Sequence, residues 1–111
     1  MYVKDIYKKV TIEYPDIPTV KFISYLNEAQ MDLSNRYVSV EAEPVSEMED
    51  ELVINPRFGT ALAKYICGAY SKTADLYNKY MSEYVNHAET ANNKIVRDKL
   101  KGKRIYAPRF R

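Results

Sequence analysis

A chain of 111 residues, 46% hydrophobic and 29% charged, has the composition of one ordinary globular domain with a modest core. Its formal net charge of +2 excludes a surface that attracts nucleic acid everywhere, so any such contact has to be local. A single cysteine, Cys67, excludes an internal disulfide, and no apolar run reaches the roughly 20 residues of a bilayer-spanning helix. Met1-Tyr2-Val3-Lys4-Asp5 does not open a signal peptide, so a reducing cytoplasm is the expected compartment until the chain joins an assembly.

From Tyr2 to about Thr11, Val3, Ile6 and Val10 recur at helical spacing, which predicts a short first helix. Tyr14-Pro15-Asp16-Ile17-Pro18 is a turn, because two prolines three residues apart do not fit a helix interior. Beyond it, Phe22, Leu26, Ala29, Leu33 and Tyr37 mark an amphipathic helix of about five turns, with Thr19 as a cap. Within that helix Asn27 and Gln30 either face solvent or bond to the irregular chain between Asn35 and Asn55.

Tyr37-Val38-Ser39-Val40 and Leu52-Val53-Ile54 favour extended backbone, and the two runs pair as a small hairpin or stay a loop. Between them Glu41, Glu43, Glu47, Glu49, Asp50 and Glu51 make an acidic segment without Lys or Arg, expected to be solvent-exposed. Asn55-Pro56 is a sharp helix start, Asn being a strong cap and Pro being favoured at the first helical position.

No further proline occurs until Pro108. Ala63, Cys67, Tyr70, Ala74, Tyr77, Met81, Tyr84, Ala88, Ala91 and Ile95 then repeat at alternating four- and three-residue spacings, as in a coiled-coil seam. Unbroken, such a helix would be roughly 65 Å long, too long for a lone helix on so short a chain. A break is therefore expected near Ser71-Lys72-Thr73, with Thr73 capping a second helix, and Gly102 is the natural stop. The expectation is a mainly α fold: a bundle of about four helices over residues 1–101, a hairpin or acidic loop near 41–51, and an extended basic arm over 102–111.

Catalytic chemistry finds little support. His87 is the only histidine, and no second cysteine joins Cys67 in a zinc set. Cys67 belongs to the apolar seam whereas His87 falls on the polar face, so both read as structural residues rather than a nucleophile and its base. Gly59, Gly68 and Gly102 are isolated and build no phosphate loop, and the acidic segment lacks the spacing of a calcium loop. No catalytic, cofactor-binding or metal-binding residue is expected, and the protein is not read as an enzyme. Eleven tyrosines without a tryptophan suit a small aromatic core, with half-buried contact surfaces as a secondary use.

The basic end mixes cations with large apolar groups. Lys101, Lys103, Arg104, Ile105, Tyr106, Arg109, Phe110 and Arg111 are the expected partner-binding residues, with Tyr106 and Phe110 as anchors. The same segment can contact phosphates and stack on bases, which defines the alternative: a small helical nucleic-acid-binding or regulatory protein.

Pro18-Thr19 through Tyr25-Leu26-Asn27-Glu28-Ala29-Gln30, then Asn55-Pro56-Arg57-Phe58-Gly59-Thr60-Ala61-Leu62 through Tyr65-Ile66 and Ala69-Tyr70, resemble the head–tail connector (adaptor) proteins of tailed bacteriophages. The resemblance covers roughly residues 2 to 100. It implies a non-enzymatic virion protein at the neck, made in the host cytoplasm, one copy per portal subunit, forming a homo-oligomeric ring of twelve beneath the capsid portal. Its expected partners are the portal, reached by the arm, and the next tail or neck component. DNA would pass transiently through the ring, and no membrane is involved. Glu47, Glu49, Asp50 and Glu51 of the acidic loop would then face a neighbouring subunit or that next component.

Overall fold

Helix α1, Val3–Glu13, forms because Val3, Ile6 and Val10 fall on one face, where all three are fully buried. Asp5 opens it by accepting from the Tyr2 N–H at 2.8 Å, while its own N–H donates to the Tyr2 carbonyl at 3.0 Å. In this computed structural model residues 1–103 are described, with side chains through Leu100. The two-proline turn leads into α2, Thr19–Arg36, which buries Phe22, Leu26, Ala29, Gln30 and Leu33. A loop over 37–55 follows, then a 3₁₀ turn at Pro56–Phe58, then α3, Gly59–Tyr70, and α4, Ala74–Lys103.

The predicted punctuation is present at the later helices but not at α2, where Thr19 is already the first helical residue, Pro18 holds the cap position and no side chain caps the helix. Asn55 accepts from the Arg57 N–H at 2.9 Å with Pro56 behind it, so the 3₁₀ turn carries the capped entry and runs directly into α3. Thr73 Oγ1 accepts from the Leu76 N–H at 3.2 Å and its carbonyl accepts from Tyr77 N at 3.0 Å, starting α4 after the break. At the other end α4 continues through Gly102 to Lys103, slightly past the expected stop.

α3 is the hub, packing against α1, α2 and α4 alike. Seven of its twelve residues are buried: Gly59, Ala61, Leu62, Ala63, Ile66, Cys67 and Gly68. That pattern belongs to a helix enclosed on several sides rather than one with a single apolar stripe. Gly68 sets the closeness of α3 to α4, since a methyl group there would stand 3.3 Å from Tyr80 Cβ. Tyrosines fill the seams between helices in edge-to-face pairs: Tyr14 with Tyr70 at 5.3 Å, Tyr65 with Tyr84 at 5.2 Å, and Tyr7 with Phe22 at 5.0 Å.

Two expectations need correction. The extended runs do not form a hairpin, and no strand exists among the described residues. Glu51 instead makes an isolated antiparallel bridge with Tyr2. The first amides of α1 need acceptors, and Val3 N takes the Asp50 carbonyl at 2.9 Å while Lys4 N takes that of Met48 at 3.0 Å. Leu52 N then donates to the Met1 carbonyl at 2.8 Å. Capping a helix outcompetes pairing two short strands that would be marginal alone. Leu52 and Ile54 still alternate with Val53 as extended chain does, buried on either side of a residue that is 46% exposed.

The expected seam also departs from the structure at the start of α4. Ala74 and Tyr77 are exposed, and Tyr80 is buried in their place. The first turns of α4, Ala74 to Lys79, stand clear of the core, and from there the expected register holds: Tyr84, Ala88 and Ala91 are buried and Met81 and Ile95 half-buried, with Tyr80 added to them. Among the described residues no helix is long and apolar enough to cross a membrane.

Candidate docking surfaces

The acidic loop is held at fixed points. Asn27, on α2, donates from Nδ2 to the Val45 carbonyl and accepts at Oδ1 from the Val45 N–H, both at 2.9 Å. A side-chain amide thus stands in for a neighbouring strand and satisfies both polar groups of one loop residue. One turn on, Gln30 is 2% exposed and donates from Nε2 to the Glu43 carbonyl at 3.1 Å. These are the two polar residues that the sequence left open between solvent and loop, and both hold the loop. The α1 amides grip its other end at Met48 and Asp50.

Asp50 folds the loop upon itself. Its Oδ2 accepts from the N–H groups of Ser46 at 2.9 Å and Glu47 at 3.0 Å, and from Ser46 Oγ at 3.5 Å. Those backbone donors favour the carboxylate and lower its pKa below the usual 3.8. Glu47, Glu49 and Glu51 are exposed, as are Glu41 and Glu43, whereas Asp50 is half-buried and committed to the turn. Of the four acids expected at an interface, three therefore point outward and one shapes the display.

α2 is locked to α4 by a different polar group. Tyr84 is 1% exposed and its hydroxyl donates to Asp32 Oδ2 at 2.5 Å; Arg36 Nε donates to the same oxygen at 2.7 Å. Burial, then the bond to Asp32, pushes the Tyr84 phenol well above its usual range. The bond to Asp32 likewise raises the Arg36 pKa. Nothing in the sequence pattern pairs Asp32 with Tyr84, since the two lie 52 residues apart.

Cys67 and His87 go to different places. Cys67 is buried in a cleft beside Lys9, Glu13 and Lys64, and burial pushes its thiol up to about 11, which disfavours the nucleophilic thiolate. His87 is exposed and lines a separate recess with Arg57, Thr60, Thr90 and Lys94. On α4 the spacing of His87, Thr90 and Lys94 puts them on one helical face, a signal legible in the sequence, but the arrival of Arg57 is a tertiary event. Among the described residues no group of three or more His, Cys, Asp or Glu is placed to hold a metal.

Of the predicted arm, α4 carries Lys101 and Lys103 in its last turn. The side chains of Lys101 and Lys103, and all of Arg104, Ile105, Tyr106, Arg109, Phe110 and Arg111, lie outside the described residues. No family model, curated protein or solved structure matches this chain.

Proposed function

We propose that this protein is a structural virion component, a head–tail connector that forms a ring beneath the capsid portal and joins it to the tail. One observation supports the reading most: the body uses Asn27, the buried Gln30 and the first amides of α1 to hold an outward-facing acidic loop in place. Such polar groups, in an enzyme, more often converge on a pocket. Here they fix a display, and a preorganised surface loses little entropy when a partner covers it. The residues that carry the resemblance serve that architecture. Asn27 and Gln30 of the Tyr25–Gln30 run clamp the loop, and Asn55-Pro56-Arg57-Phe58 makes the capped entry to the hub helix. In this reading the basic segment from Lys101 to Arg111 reaches the portal and the acidic loop meets a neighbouring subunit.

Native mass spectrometry of the purified protein, alone and mixed with isolated portal, tests the reading. A closed oligomer or stoichiometric capture by the portal is the expected result. A monomer that ignores portal, yet binds DNA or RNA with an affinity falling steeply as salt rises, would replace it with the nucleic-acid-binding alternative.

A further inference from the structure

The recess between α3 and α4 has about 210 Å³ of space, enough for one or two small polar groups but not for a drug-sized ligand. Its walls hold Arg57 and Lys94 as cations, the His87 imidazole, and the hydroxyl-bearing Thr60 and Thr90, with Ala91 as the buried floor. Thr90 Oγ1 already donates to the Asn86 carbonyl at 2.9 Å, so it offers only acceptor capacity, and the donors that face an incoming group include Arg57, Lys94, His87 and the Thr60 hydroxyl. That set selects an oxyanion. Among the described residues Arg57 pairs with Asp98, at 3.2 Å from Nη2, in an exposed pair that leaves other guanidinium donors for a second carboxylate, while Glu83, one turn from His87, is engaged by Lys64.

Two sources of oxyanion deserve comparison, phosphate on nucleic acid and carboxylate on protein. All fifteen acids lie within residues 1–103, whereas three of the seventeen Lys and Arg fall at 104–111. The described body therefore carries no net positive charge, and outside the end of α4 with Lys94, Arg97 and Lys99 it lacks the broad positive field that draws in a polyanion. The chain itself supplies the other source. Glu47, Glu49 and Glu51 stand exposed on a loop held by α1 and α2, whereas the recess is built by α3, α4 and the turn before them. The loop also touches α4 through Ser39 and Asn92, but none of its acids lines the recess of its own chain, so acceptor and donor surfaces are distinct, as a head-to-tail contact requires.

We propose that the Arg57–His87–Lys94 recess receives the acidic loop of a second copy, with Glu47 and Glu49 entering against the two cations. This rests on the self-assembly half of the proposed function and is independent of docking to a portal. The contact repeats from copy to copy and weakens with salt, as exposed charge pairs do.

A charge-swap experiment tests it on the full-length chain. One variant carries Arg57→Glu and Lys94→Glu, the other Glu47→Lys and Glu49→Lys, and all these positions are exposed. Light scattering and native mass spectrometry would compare each variant with the unmodified chain, with circular dichroism as the folding control. Each variant alone should associate on the order of 100-fold more weakly, because like charges now face each other. Mixing the two should restore association, since every contact in an alternating assembly is again between opposite charges. Variants that assemble like the unmodified chain, or a folded pair that fails to rescue, would overturn the recess proposal while self-assembly stands. An unmodified chain that stays monomeric at all concentrations would overturn self-assembly and the recess together.

Discussion

Tyr84 joins a fully buried ring to a hydroxyl that must find a partner, and Asp32 supplies it at 2.5 Å. Tyr84→Phe keeps the ring and loses the bond to a charged acceptor, while Asp32 keeps Arg36 and partial solvent. The expected cost is about 1–2 kcal/mol, or a fall in Tm of roughly 5–10 °C for a domain of this size; differential scanning calorimetry would measure it. Burial chiefly drives Tyr80 up to about 12 and Tyr84 beyond. A phenol whose folded pKa is raised stabilises the fold fully below its unfolded value near 10 and loses that contribution as pH climbs past it. Asp50 works in the opposite sense. Its folded pKa is lowered by the Ser46 and Glu47 amides, so its contribution is full above 3.8 and vanishes as pH falls through the lower folded value. Asp50→Asn should flatten the acid limb of the stability–pH curve below about pH 4, as thermal melts across that range would show. An unchanged acid limb would mean that the carboxylate does not hold the turn.

At the scale of elements, the loop over 37–55 depends on helices it does not belong to. Asn27→Ala removes both bonds to Val45, and the expected loss is about 2 kcal/mol if the freed groups stay partly buried. Hydrogen exchange at the Val45 amide should accelerate while the amides of α3 keep their protection. Equal acceleration everywhere would show that the clamp supports the whole fold rather than the loop. The same loop shows what sequence carries and what it does not. Asn55-Pro56 and Thr73 are local chemical signals, each acting on an amide within three residues, so the helix starts they make were legible. Asn27 and Gln30 stood out as polar groups in a helix, which suggested a link to the loop but could not specify Val45 and Glu43 as partners. Spacing places Ala74 and Tyr77 on the seam but cannot tell that the first turns of α4 extend past the core, so both are exposed while Tyr84, Ala88 and Ala91 keep the expected register. Glu51 pairing with Tyr2, and Arg57 reaching Asp98 beside His87 and Lys94, are contacts between distant segments that no spacing encodes. The candidate site was therefore legible as exposed acids and scattered cations, and only the fold gathered the cations into a recess.

For the whole molecule, the decisive feature is that one twelve-residue helix lies against three others. α3 and α4 are joined by three residues, so their contact is local and cheap to close. α1 and α2 precede the helix on which both depend. During synthesis they leave the ribosome with Ile6, Val10, Leu26 and Leu33 lacking their main covering, and they wait until α3 has emerged. A fragment of residues 1–58 should accordingly show no cooperative melting and should bind a dye for exposed apolar surface, whereas residues 1–103 should melt in one transition. Cooperative unfolding of the short fragment would mean that α1 and α2 form a core of their own. The order of elements along the chain thus becomes a timetable, in which the nascent protein is sticky for as long as its keystone is still being made.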